Sequence, residues 1–446
     1  MVGREEQLKQ LTDFFNSDRN NLTVLYGRHG SGKTTLINRF TEGKKAAYFN
    51  ALPSVDFELF NNFKYCICNQ YPGIYDSADY EAVFRQLVKN DVRIIVIENF
   101  QNIVKADSSF MADVAHFVKN SETKVMFVFS CPSVQWIENT MVRSVGAAAL
   151  MINAFIKLKQ LNYASVVNLF PDMDARTCLY ACAVTGGYAG YLKLWNDKLD
   201  IKDNICNLLL EKTGALNNEA ANFVGEEFRE TSVYNTILAC LAAGKNKLNE
   251  IHEYTGFGRD KISVYLNNLI EREIVEKIFS FDAGNNRNSR KGLYRIQDGF
   301  VYFWYKFIYP NYGILECVSP SDFYDRYISE YLDEFALESL IDVSYEFFEI
   351  MSKMGRLSFP AEYKGRWYGK TGDIHIVYSG KEGNIIGQCH TGNRAFDMAD
   401  YEKLSSNYSN AGVNPKQVYL FSTTGFTDEF MTKHDTMITP IRIEDL

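Results

Sequence analysis

Gly27-Arg28-His29-Gly30-Ser31-Gly32-Lys33-Thr34 is the stretch whose reading decides the fold. It satisfies the pattern GxxxxGK[ST] in full, and its flanks count as much as its letters. The run Leu22-Thr23-Val24-Leu25-Tyr26 before it reads as a strand, and Thr35-Leu36-Ile37-Asn38-Arg39-Phe40 after it reads as a helix, which is the context the motif requires. Glycines let successive backbone N–H groups turn inward around a phosphate, while the helix that follows adds the positive end of its dipole. Lys33 brings a point charge to the β- and γ-phosphates, and the Thr34 hydroxyl completes a Mg²⁺ shell. The expected nucleotide contacts are Gly27, Arg28, His29, Gly30, Ser31, Gly32, Lys33, Thr34 and Thr35, with ATP and Mg²⁺ as the bound species.

Outward from the loop, the first 130 residues alternate short apolar runs with helical segments. Ala46-Ala47-Tyr48-Phe49, Ile94-Ile95-Val96-Ile97 and Val125-Met126-Phe127-Val128-Phe129 join the first strand. Unbroken β-branched and aromatic runs of this length are what strands buried on both faces of a parallel sheet look like. Leu8, Leu11 and Phe15 fall at helical spacing ahead of them. After Ser130 the pattern reads as mainly helical to about Lys277, and from Gly355 to Leu446 short strands and helices alternate again.

Length and composition bound the rest. A chain of 446 residues needs several cores, and 46% hydrophobic against 23% charged residues supplies them. No window approaches about 18 uncharged apolar residues, and the N-terminus lacks a signal-peptide core, so a cytoplasmic protein is expected. Nine cysteines without CxxC pairs suit reduced, buried thiols better than disulfides or a metal site at Cys66/Cys68 or Cys178/Cys182. A net charge of -8 argues against a protein coated in nucleic acid and leaves room for one basic surface.

A P-loop site also needs a carboxylate at the end of a neighbouring buried strand. Ile94-Ile95-Val96-Ile97-Glu98-Asn99-Phe100-Gln101 supplies it: Glu98 follows four buried apolar residues and reads as the metal-side acid. Asn99 stands where a second acid is usual. An amide cannot accept a proton, so hydrolysis is expected to be slow. Ser130, closing the next strand, is either a partner of the γ-phosphate or its water, or a simple strand cap.

Taken together, these residues resemble the archaeal-type P-loop ATPase family, related to AAA+ and STAND ATPases and carrying a C-terminal DUF234-type domain. The likeness runs through Val2-Gly3-Arg4-Glu5, the P-loop, Glu98-Asn99-Phe100-Gln101 and Gly186-Gly187-Tyr188-Ala189-Gly190-Tyr191-Leu192. It continues through Phe303-Trp304-Tyr305-Lys306-Phe307, Gly365-Arg366-Trp367-Tyr368-Gly369 and Leu420-Phe421-Ser422-Thr423-Thr424-Gly425-Phe426-Thr427. The chain departs from the family at Glu98-Asn99 (usually Asp-Glu), at Ala189 (usually Pro), and near Ala147, where an Arg is usual and Arg143 is the nearest here.

In the middle, Ser232–Leu241, Leu248–Gly256 and Asp260–Ile270 read as three helices, the last two joined by a Gly-containing turn as in a helix-turn-helix. Ile274–Phe279 and Gly292–Ile296 read as a hairpin whose polar tip is a wing. Arg259, Lys261, Arg287, Arg290 and Lys291 are the expected phosphate contacts on DNA, with Asn267 or Asn268 facing bases; a protein-facing or structural winged helix is the other reading.

The resemblance further implies a C-terminal PD-(D/E)XK nuclease-like fold, in which an Asp and a Glu-x-Lys on adjacent strands bind Mg²⁺. In Gly372–Val377 and Ile385–His390, His375 falls where the Asp belongs, Gln388 where the Glu belongs and His390 where the Lys belongs. Asp373 and a helical acid, Glu338 or Asp342, remain as substitutes, but Gln388 brings no charge to a metal, so an inactive module is expected. The histidine pair is read as hydrogen-bonded residues rather than zinc ligands.

The expected architecture is therefore α/β: a P-loop core over 1–160, a helical lid over 161–226, a winged helix over 227–318 and a degenerate nuclease-like domain over 319–446. The leading functional expectation is a slow, ATP-dependent switch. A DNA-binding regulator with structural nucleotide, and a metal-dependent nuclease, are the alternatives.

Overall fold

A computed structural model describes residues 2–74, 77–281, 292–370 and 372–446. The chain forms two compact units, Met1–Gln160 with Tyr188–Gly190, and Leu161–Gly187 with Tyr191–Leu446. Among the described residues, no helix is long and apolar enough to cross a membrane.

The first unit is built on a parallel sheet of β1 (Asn21–Tyr26), β2 (Ala46–Asn50), β3 (Ile94–Glu98), β4 (Met126–Cys131) and β5 (Ala154–Lys157) in the order β2-β3-β4-β1-β5. Successive side chains go to opposite faces, and here both faces are covered. Leu22, Val24, Ile95, Ile97, Phe127 and Phe129 pack into one core with the helices Asp56–Gln70, Tyr80–Lys89 and Phe110–Asn120. Leu25, Ile94, Val96, Met126 and Val128 pack into the other, beneath α1 (Glu5–Asn16) and α2 (Lys33–Thr41). The unbroken apolar runs follow from this double burial. Leu11 is fully buried, with Leu8 and Phe15 packed beside it, so the amphipathic stripe of α1 faces the second core.

One expectation requires correction. The acid-bearing strand is not the neighbour of the P-loop strand, because β4 lies between β1 and β3. The region after Ser130 is mainly helical, and within it β5 adds a fifth, edge strand on β1. Of its four residues only Ile156 is buried, and a run this short carries no period that would mark it as a strand.

The second unit begins with helices and holds, in sequence, Thr231–Ala242, Leu248–Thr255 and Arg259–Glu271, then an antiparallel hairpin of β6 (Val275–Phe279) and β7 (Gly292–Ile296). The 22-residue helix Leu332–Lys353 precedes a mixed sheet of β8 (Tyr363–Tyr368), β9 (Asp373–Gly380), β10 (Gly383–His390), β11 (Pro415–Ser422) and β12 (Ile438–Arg442). Its order is β12-β11-β10-β9-β8, with β8, β9 and β10 antiparallel and β10, β11 and β12 parallel. The chain leaving β6 joins this sheet: Phe281 N–H donates to Arg366 O at 2.6 Å, and Tyr368 N–H donates to Ser280 Oγ at 2.9 Å.

Glu346, on the long helix, accepts the Tyr163 N–H at 2.9 Å. Burial pushes its carboxyl up to about 7, and that hydrogen bond pulls it only partly back. A raised acid binds more protons folded than unfolded, so its ionisation opposes folding as pH climbs from its ordinary 4.5 to about 7. Thermal melts should therefore show a loss of stability across that window which Glu346→Gln flattens; an unchanged slope in the variant would refute the assignment.

Candidate functional site: a phosphate cradle with a buried acid

The loop between β1 and α2 is held from several directions. Gly27 sits at φ +152°, and a Cβ there would lie 2.3 Å from the Leu158 carbonyl oxygen, so only glycine fits. Arg4 is buried; its Nη2 donates to Ser31 O at 3.0 Å and to Lys159 O at 2.5 Å. Gly190 approaches from the other side, its N–H donating to Gly30 O at 2.7 Å, and a Cβ on it would come within 2.9 Å of that same oxygen. Arg28 lies over the Tyr188 ring, 4.7 Å from its centre. These contacts give Val2-Gly3-Arg4-Glu5 and the Gly186–Leu192 segment, two motifs without a local rationale in sequence, a physical role in shaping the loop.

Lys33 Nζ donates to Gly27 O at 2.7 Å and Arg28 O at 3.0 Å, keeping the ammonium inside the loop. Burial pushes it down to about 8, with Cys131 and Glu98 acting in the opposite direction. Thr34, the next residue of α2, donates its hydroxyl to Glu98 Oε1 at 2.8 Å. Glu98 is 6% exposed at the end of β3, and its Oε2 accepts from the Tyr48 hydroxyl. The expected pair of hard oxygen donors, Thr34 and Glu98, is thus assembled across the intervening strand.

The other expected residues are placed as follows. Ser130 is buried on β4, and its carbonyl accepts the Phe100 N–H at 3.2 Å. Asn99 adopts φ +54°, and its amide donates to Asn50 Oδ1 at 2.7 Å, making it a turn residue that offers no carboxylate. His29, Thr34 and Thr35 are exposed along the loop and the start of α2. Arg143 is exposed on the helix Met141–Val145. Sequence reasoning missed Arg4, Tyr48 and Gly190 as site residues. The signals were present only as family motifs or, for Tyr48, as one more apolar strand position.

In the second unit, Arg259 and Lys261 are exposed at the start of their helix; Arg259 Nε donates to Asn249 Oδ1 at 3.0 Å, and Lys261 Nζ lies 4.8 Å from the Phe257 ring centre. Arg287, Arg290 and Lys291 lie outside the described residues. Of the two alternatives for facing bases, Asn267 is exposed, and Asn268 Nδ2 donates to the Tyr234 hydroxyl at 2.8 Å.

The mixed sheet carries a charge network instead of an open acid cluster. Glu338 Oε2 accepts from Arg366 Nη1 at 2.8 Å and from Arg295 Nη1; Asp342 Oδ1 accepts from Arg295 Nη2 at 3.0 Å and lies 3.6 Å from Arg366 Nη2. Burial opposes ionisation of Glu338, but the two guanidinium groups outweigh it and hold the carboxyl down to about 2. The helical acids proposed as metal ligands are thus already neutralised by arginines. His375 Nδ1 accepts the Cys389 N–H at 3.0 Å, which places the neutral ring's proton on Nε2, 3.4 Å from Asp373 Oδ2. His390 Nε2 is 2.9 Å from Arg394 O. Among the described residues no three His, Cys, Asp or Glu side chains gather as a metal site.

Two segments of the chain resemble known families. Residues 1–137 match the AAA ATPase domain family, and residues 304–399 match the DUF234 family, "Archaea bacterial proteins of unknown function". An uncharacterized protein of Methanocaldococcus jannaschii is 28% identical over 386 residues, 84% of this chain and 83% of its own length. An uncharacterized ATP-binding protein of the same organism is 48% identical over 44 residues, 10% of this chain and 75% of its own. Among solved structures, the Walker-type ATPase of Pyrococcus abyssi superposes with a TM-score of 0.52 at 15% identity, covering 69% of this chain and 96% of that one, which speaks to the fold. The chain is thus similar to AAA ATPase domains over residues 1–137, the stretch that holds the P-loop, and to DUF234 proteins over residues 304–399.

Proposed function

We propose that the protein is an ATP-dependent switch with slow turnover, in which nucleotide bound at residues 27–35 governs the activity of the C-terminal unit. The observation that carries it is the joining of Lys33, Thr34 and buried Glu98 at one loop, beside an Asn99 that offers no proton acceptor. Lys33 neutralises phosphate charge, the loop amides hold the phosphate oxygens, and Thr34 and Glu98 are the donors that would hold Mg²⁺. When bound, that ion screens the charge between phosphates. Binding is thus well provided for while proton removal is not. In the second unit, the three helices and hairpin serve as a winged helix within 227–318 and the mixed sheet as a nuclease-like module within 319–446, with 161–226 as the lid. Glu338 and Asp342 paired to arginines, and Gln388 in place of an acid, support a module without nuclease chemistry.

Titration calorimetry with ATP and Mg²⁺ tests the reading: saturable heat and a raised melting temperature are expected, and the absence of both would end it. The lysine adds a pH signature. Because the free ammonium titrates near 8 and a bound triphosphate favours its charged form, binding above that pH must take up a proton. Affinity should fall roughly tenfold per pH unit above 8, with heats that depend on buffer ionisation enthalpy; a flat profile to pH 9.5 would contradict this role for Lys33.

A DNA-binding regulator with structural nucleotide is the second reading, favoured by exposed Arg259 and Lys261 at the start of one helix. Titrating labelled duplex at two salt concentrations, with and without ATP, separates the two. Salt sensitivity reports phosphate contacts, and only a switch makes affinity follow the nucleotide.

A further inference from the structure

The geometry points to Tyr48 as the positioning residue that fixes Glu98 for the Mg²⁺ shell, an inference that rests on the ATP·Mg²⁺ reading of the P-loop. Tyr48 lies on β2, the edge strand, in register with Val96, two residues before Glu98 on β3. Its side chain packs on the sheet face covered by α1 and α2, the face from which Thr34 reaches the acid. The Tyr48 hydroxyl donates to Glu98 Oε2 while Thr34 Oγ1 donates to Oε1, so the phenol holds one oxygen and leaves the other turned toward the threonine.

The main chain around Tyr48 is itself clamped. An edge strand normally presents its outer N–H and C=O to solvent. Here the Gln70 side chain, at the end of helix Asp56–Gln70, completes both: Tyr48 N–H donates to Gln70 Oε1 at 2.9 Å, and Gln70 Nε2 donates to Tyr48 O at 2.6 Å. The amide substitutes for a missing strand at that one residue. A phenol anchored this way fixes the rotamer of a buried carboxylate before any ion arrives. Without the Tyr48 hydroxyl, Glu98 would retain the Thr34 contact but lose the donor that sets its orientation. Loss of such outer partners typically weakens metal affinity by roughly 10–100-fold.

The test is the Mg²⁺ dependence of nucleotide binding, measured by calorimetry or a fluorescent ATP analogue with Mg²⁺ titrated into EDTA-treated protein. Tyr48→Phe should raise the Mg²⁺ concentration at half-effect by about tenfold in a protein that still folds and still binds nucleotide without Mg²⁺. In a Glu98→Gln background the same change should add nothing, because its target is gone. Should Tyr48→Phe fold poorly, Gln70→Met reads the clamp from a residue that touches neither Glu98 nor the loop, with a smaller shift of the same sign. An unchanged Mg²⁺ requirement in a folded variant that still binds nucleotide, or an additive effect in the Glu98→Gln background, overturns the role of Tyr48. Failure of the native chain to bind nucleotide at all overturns the site itself.

Discussion

Lys33→Ala should weaken ATP binding by roughly 100-fold, about 3 kcal/mol, without unfolding the first unit. The Lys33 ammonium is held within the loop, bonded to the carbonyls of Gly27 and Arg28. Its replacement removes a charge-assisted contact that neither the backbone amides nor Thr34 can replace. The loop's shape rests on other groups, namely Arg4 on Ser31 O, Gly190 on Gly30 O and the glycine at position 27, so the cradle should survive the substitution. Calorimetry of ATP with Mg²⁺ on both proteins, together with melting curves, checks both halves of this claim. Unchanged affinity would refute phosphate binding by this loop, and a collapsed melting temperature would show that the lysine is structural.

Glu338→Gln should destabilise the second unit by about 3 kcal/mol at neutral pH. Breaking a buried ion pair costs about 3–5 kcal/mol, and the lower end applies because the Glu338 side chain keeps 40% exposure while Arg366 keeps only 5%. The substitution leaves Arg366 and Arg295 facing one another with Asp342 and Glu276 as remaining counter-ions. The sign with pH follows from the depressed carboxyl. Its stabilisation is fully present above the ordinary 4.5 and is lost as pH falls toward about 2. Urea titrations at pH 7 and pH 3 should therefore show the gap between native protein and variant closing in acid. Replacing the pair together, as Glu338→Leu with Arg366→Met, should recover much of the loss, since apolar residues of similar volume often match a buried ion pair. A gap that persists unchanged at pH 3 would count against the network.

Much of the nucleotide site was legible in the residues alone because a P-loop is continuous in sequence: eight consecutive positions carry the turn, the charge and the hydroxyl. Glu98 was legible for a related reason. A charge placed directly after four apolar residues demands a partner, and the partner is Thr34. The three helices Thr231–Ala242, Leu248–Thr255 and Arg259–Glu271 and both strands of the hairpin were likewise visible as periodic stretches bounded by glycine. Arg4, Tyr48, Gln70 and Gly190 were not, because each matters through a contact with a segment distant in the chain and shows no local pattern. Ala154–Lys157 escaped because four residues are too few to show a period, its strand existing because β1 offers an unpaired edge.

The sequence by itself predicted the kind of chemistry proposed: a phosphate-binding loop, a hydroxyl and an acid suited to a metal, and the want of a second carboxylate at Asn99. Local backbone geometry and residue type suffice for that. Only the tertiary structure decided which strands are neighbours, that β4 separates the loop from its acid, and that Glu338 and Asp342 face arginines rather than open space. Strand order and ion pairing depend on which distant segments compete to bury the same surface, a global balance that local periodicity does not contain.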